Sequence, residues 1–105
     1  MRISQNISEL SDFLTAVSLY SPDRFPADYS MDYETAFEAL RLSLKSLEKK
    51  IGKERCSNLL DMAEQAKLYF DQGQVNLATW LMQDMEQYLN KKKLFAYPSH
   101  LWRWD

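Results

Sequence analysis

A chain of 105 residues with 46% apolar and 27% charged side chains, two glycines and three prolines has the composition of an ordered globular protein with one core. That composition excludes a linker, a low-complexity tail and a second independent lobe, so residues 1–105 are read as a single helical domain. The net charge of −2 argues against a nucleic-acid binder, and the single cysteine, Cys56, excludes an internal disulfide and a cysteine-based metal cluster.

The small net charge conceals segregation along the chain. Residues 1–38 hold Glu9, Asp12, Asp23, Asp28, Asp32, Glu34 and Glu38 against Arg2 and Arg24, a balance of −5. Residues 41–55 reverse it to +4, residues 61–86 return to −4, and residues 91–105 finish at +3. No apolar run approaches the roughly 18–20 residues that cross a bilayer, and no signal-type apolar block follows Met1-Arg2-Ile3-Ser4-Gln5-Asn6. A cytoplasmic protein without a membrane partner is the expectation.

The first helix is predicted over Ile7 to Tyr20, with Ile7, Leu10, Leu14 and Val17 on one stripe and Asn6 or Ser8 as N-cap. Pro22 and Pro26 then enforce a loop through residue 30. Its length places Phe25 and Tyr29 either over the core or against a partner, and covering the core is the favoured role. The central helix is predicted from Tyr33 to Ile51, because Tyr33, Phe37, Leu40, Leu44, Leu47 and Ile51 recur at spacings of four and three. Its early acids and late lysines suit its macrodipole.

Gly52 supplies a left-handed stop and a tight turn. A third helix is expected over Lys53 to Gln72, burying Cys56, Leu59, Ala63, Ala66 and Phe70. Gly73 repeats the signal, and a fourth helix follows from Gln74 to Lys92, with Ala78, Leu81, Met85 and Tyr88 or Leu89 inward and Leu77 and Trp80 nearby. Short turns at both glycines imply antiparallel neighbours. The fold class is therefore all-α, a four-helix antiparallel bundle, with the aromatic tail Leu94 to Asp105 packed back on it.

Chemistry has little visible support. The one histidine, His100, lies in the tail, and Cys56 lies on an apolar face, so neither is an activated nucleophile or base. No histidine stands on the four helices to complete a carboxylate-bridged metal site, and the two glycines do not form a phosphate loop. No cofactor or metal is expected, and no catalytic residue is assigned. Arg41, Lys45 and Lys49 form the best phosphate-facing stripe, with Lys53 and Arg55 as its extension, but aromatic platforms are not interleaved with them. Asp61 with Glu64 would carry a small carboxylate-based enzyme only if both converged on a concave site.

Two resemblances bear on function. Ala66-x-x-Tyr69, Gly73 and Ala78-x-x-x-Met82 resemble the helical hairpin of a tetratricopeptide repeat over about thirty residues, with Asn90 where a proline would stand. An ordinary antiparallel hairpin explains the same residues. By size, helical content, charge segregation and the turn Asp71-Gln72-Gly73-Gln74 followed by Leu77 to Glu86, the chain is similar to the small acidic immunity proteins that bacteria pair with polymorphic or contact-dependent inhibition toxins. That resemblance implies a non-enzymatic protein seated on the catalytic face of a toxin domain, often a nuclease, whose positive field an acidic surface matches.

The partner-binding candidates are accordingly Glu9, Asp12, Asp23, Asp28, Asp32, Glu34 and Glu38. Trp102, Arg103 and Trp104 come second, because Trp and Arg are enriched among residues that dominate interfaces. The alternatives are a homo-oligomeric helical adaptor pairing through Tyr69, Trp80 or the tail, and the carboxylate enzyme.

Overall fold

A computed structural model describes residues 3–29 and 31–90. Five α-helices lie among them: α1 (Ile7–Tyr20), α2 (Tyr33–Ser46), α3 (Glu48–Ile51), α4 (Lys53–Asp71) and α5 (Val75–Leu89). The expected aromatic tail, with Trp102, Arg103 and Trp104, lies outside the described residues.

Both long N-terminal helices start on side-chain caps. Asn6 Oδ1 accepts from the Glu9 backbone N–H at 2.8 Å, and Asp32 Oδ1 accepts from the Thr35 N–H at 2.9 Å while Thr35 Oγ1 accepts from the Asp32 N–H at 2.9 Å. This reciprocal pair satisfies donors that the first turn of a helix leaves open. At the other end of the long hairpin, Gly73 (φ +78°) closes α4: its N–H donates to the Phe70 carbonyl at 3.0 Å, and the Gln74 N–H to Tyr69 at 2.8 Å. That pattern terminates a helix on a left-handed glycine and satisfies two of its last carbonyls.

The helix drawn from Tyr33 to Ile51 by periodicity is two helices. At Leu47 (φ −99°, ψ +14°) the backbone leaves the α-helical path, and α3 resumes for four residues up to Gly52 (φ +105°). The break raises the helix count from the expected four to five among the described residues. Leu44, Leu47 and Ile51 are nonetheless all buried, so the three- and four-residue spacing runs unbroken across a backbone that is broken. Short α3 lies against both α2 and α4 and turns the chain between them.

Helix α1 lies against α2 and α5, and α4 against the same two. Polar contacts fix the directions. The Ser4 N–H donates to Ser43 Oγ at 2.9 Å, setting the start of α1 beside the end of α2. Cys56 Sγ donates to the Leu44 carbonyl at 3.2 Å, and Tyr33 Oη to Asp71 at 2.6 Å, so α2 and α4 run antiparallel. Ser11 Oγ donates to Glu86 at 3.0 Å, and Asn58 Nδ2 to Tyr88 Oη at 2.8 Å, which makes α5 antiparallel to α1 and α4.

Leu10, Leu14, Leu40, Leu44, Leu59, Met62, Leu81, Met82 and Met85 fill the middle of this arrangement, each less than 2% exposed. Of the expected first stripe, Leu10, Leu14 and Val17 are buried and Ile7 packs at the edge. In the proline loop Phe25 packs against the core, and Tyr20, Phe25 and Tyr29 meet edge-on or tilted at centroid separations of 5.5–5.9 Å. Phe25 therefore covers the core, and Tyr29 rests on Phe25 and Tyr20. No helix among the described residues is long and apolar enough to cross a membrane.

Candidate functional site

Where α2 and α4 run side by side their small and medium side chains leave a groove of about 370 Å³, floored by Phe37, Leu60 and Ala63. Glu34, Glu38 and Arg41 rise from α2 on one bank, and Glu64 and Lys67 from α4 on the other. A second hollow of about 260 Å³, lined by Glu64, Lys67, Leu68 and Asp71, borders the first through Glu64 and Lys67. Leu68 is half exposed. Four carboxylates face two cations across these hollows, a net −2 concentrated around an apolar floor.

The cations are already engaged. Lys67 Nζ lies 3.3 Å from Glu34 and 3.4 Å from Asp71, and 5.0 Å from the centroid of the Tyr33 ring. Tyr33 Oη donates to Asp71 and to the Lys67 carbonyl at 3.0 Å. Burial first, and then the Asp71 hydrogen bond, pushes the Tyr33 phenol far above its ordinary pKa, which keeps it a donor. Arg41 pairs with Glu38 at 3.8 Å. Glu64 has neither an ion pair nor a hydrogen bond with any described side chain.

Of the seven acids singled out by sequence, the groove gathers Glu34 and Glu38. Asp32 stands two residues before Glu34, but its carboxylate holds the α2 cap. The Thr35 N–H and hydroxyl bring its pKa below the usual range. Glu9 sits in the first turn of α1 and accepts from the Gln5 N–H at 2.8 Å. Asp12, Asp23 and Asp28 are exposed and line neither hollow. Glu64 and Asp71, which complete the acidic bank, were not among the partner-binding candidates. They join Glu34 and Glu38 only because α4 lies against α2, a juxtaposition without a local sequence signal.

The other chemical candidates separate as well. Glu64 faces the groove while Asp61 is exposed outside it, so that carboxylate pair does not converge. Arg41 and Lys45 share α2, but the break at Leu47 moves Lys49 onto α3. Arg55 is held at 2.6 Å by the Tyr88 carbonyl and 4.5 Å from the Tyr88 ring. Cys56 is buried, and its thiol pKa is raised by burial and then by Glu48, with Lys45 opposing. Among the described residues no three His, Cys, Asp or Glu side chains come together as a metal site. Asp84 is wholly buried on α5, a placement that its position in the helix pattern did not signal.

No protein family, curated protein or solved structure matches this chain.

Proposed function

We propose that this protein is a non-enzymatic interaction module that receives a basic protein surface in the α2–α4 groove, and that its partner is a toxin domain which it neutralises as an immunity protein. The observation that supports this reading is the pairing of an apolar floor with a carboxylate-rich bank. Phe37, Leu60 and Ala63 offer surface to desolvate, while Glu34, Glu38, Glu64 and Asp71 bias which partner approaches. Protein interfaces work in this division of labour: the apolar centre holds, and complementary charge steers and selects. A nuclease gathers phosphate with Lys and Arg, so the same field that attracts nucleic acid attracts this groove.

In this reading the four longer helices act as one antiparallel bundle, cytoplasmic in its setting, whose outer surface carries the activity. The test is a titration of a basic nuclease toxin domain, by calorimetry at two salt concentrations. It compares the natural chain with Glu34→Lys, Glu38→Lys and Glu64→Lys combined. Asp32 is left alone because its reversal would uncap α2. Loss of affinity together with a flatter salt dependence is expected. Unchanged affinity and unchanged salt dependence would overturn the reading.

A further inference from the structure

Four charged residues, Glu34, Glu38, Arg41 and Lys45, follow one another along α2 at spacings of four, three and four. At 3.6 residues per turn they fall within about 60° of arc. They therefore form one stripe along almost the whole helix, and all four are exposed. Their order is acid, acid, base, base. Contacts within the chain leave them available. Glu34 meets Lys67 at 3.3 Å with its own side chain 71% exposed, and the Glu38–Arg41 pair, 3.8 Å apart and about half exposed on both sides, is too long for a hydrogen bond. Lys45 has no carboxylate within ion-pair distance among the described residues. Beyond the stripe the polarity continues: Asp71 accepts from Tyr33 at the start of α2, while exposed Lys49 and Lys50 on α3 follow its end.

We propose that a second copy of this chain pairs through this stripe, α2 against antiparallel α2, about a two-fold axis level with Ala39 and Leu40. A stripe that changes sign at its middle is matched at every position by the same stripe reversed. Under that axis Glu34 faces Lys45 of the second copy and Glu38 faces its Arg41, and because a two-fold contact is isologous each pair is made twice. The spacing of four, three and four is that of helices packing lengthwise side by side. A parallel copy would instead set acid on acid and base on base, which repels. The axis also lays groove side on groove side, so the floor of Phe37, Leu60 and Ala63 faces its counterpart, and on the other flank partly exposed Leu42 approaches the Leu42 side of the second copy. Apolar surface on both flanks keeps water from the pairs and strengthens them. Self-association needs no toxin, but it uses Glu34 and Glu38, so it and partner capture exclude each other.

Sedimentation equilibrium of the natural chain at low salt should give a mass that rises from one chain toward two through the micromolar range and falls back in high salt. Glu34→Lys and Lys45→Glu each set like charges opposite one another at two places, and each variant alone should keep the mass of one chain. Mixed in equal amounts, these two variants regain unlike charges at every contact, and the two-chain mass should return. Glu34→Lys mixed with Arg41→Glu carries the same total charge but leaves two like-charged contacts, so it should stay at one chain. Recovery on mixing cannot come from a folding defect in either variant. A natural chain that keeps the mass of one chain throughout, single reversals that leave self-association intact, or two mixtures that behave alike would overturn the pairing. None of these outcomes decides the calorimetric titration of the toxin domain, which stands or falls on a different partner.

Discussion

At Asp32 one carboxylate is committed to a backbone donor and a hydroxyl of the same residue, Thr35, and both lower its pKa. A depressed folded-state pKa contributes stability that is present above the unfolded value, about 3.9, and is lost as pH falls through the folded value. Asp32→Asn retains an acceptor at the cap but does not titrate, so its urea midpoint should fall less steeply with acidification than that of the natural chain. Cys56 works at the opposite end of the pH scale. Burial, then Glu48, raises its thiol, so folding is undisturbed below the unfolded pKa of about 8.5 and is opposed progressively as pH rises toward the folded value. Cys56→Ala should therefore flatten the first part of the alkaline decline in midpoint. Thiol reagents should modify native Cys56 slowly and the urea-unfolded chain fast.

At the scale of elements, the two glycine turns test how far backbone strain alone can decide. A Cβ added at Gly73 or Gly52 would meet no atom within 4 Å, so the cost of a substitution lies in the positive φ. Gly73→Ala should destabilise by about 1 kcal/mol or more, measured by urea unfolding, and Gly73→Asn by less, since Asn visits the left-handed helical region. At Gly52, φ +105° with ψ +139° lies outside that region, so Asn should bring no such relief. The two glycine turns, the Asn6 cap and most inward residues of α1, α4 and α5 were legible because each follows from local spacing, whereas Met62 and Met82, both fully buried, fall outside the stripes that spacing picks out. The break at Leu47 was not, since side-chain period survives a bend that keeps Leu44, Leu47 and Ile51 on the core side. The groove was half legible. Glu34 and Glu38 stood out by charge, whereas Glu64 and Asp71 become their neighbours only through packing of distant segments. Asp84 was missed because its helical position is off the apolar stripe, where an acid is ordinarily solvated.

Across the whole molecule, the groove sets folding and partner capture in opposition at one residue. Lys67 holds Glu34 and Asp71 while its ammonium group lies over the Tyr33 ring, its side chain 29% exposed. Lys67→Met keeps an apolar stem and removes the charge, which changes the carboxylate-rich bank from a net −2 to −3. Stability should fall by no more than about 1 kcal/mol, because partly exposed ion pairs are screened and carry little net energy. Association with the basic partner should become faster at low salt, because steering grows with the charge facing the encounter. The two effects separate by measurement: urea unfolding reports the first, and stopped-flow association rates at two ionic strengths report the second. High salt should erase the gain in rate, since at about 1 M ionic strength charges more than about 3 Å apart are screened. A Lys67→Met chain that associates more slowly at low salt would mean that the cation, and not the acids around it, meets the partner. The groove would then be one that receives an acidic surface.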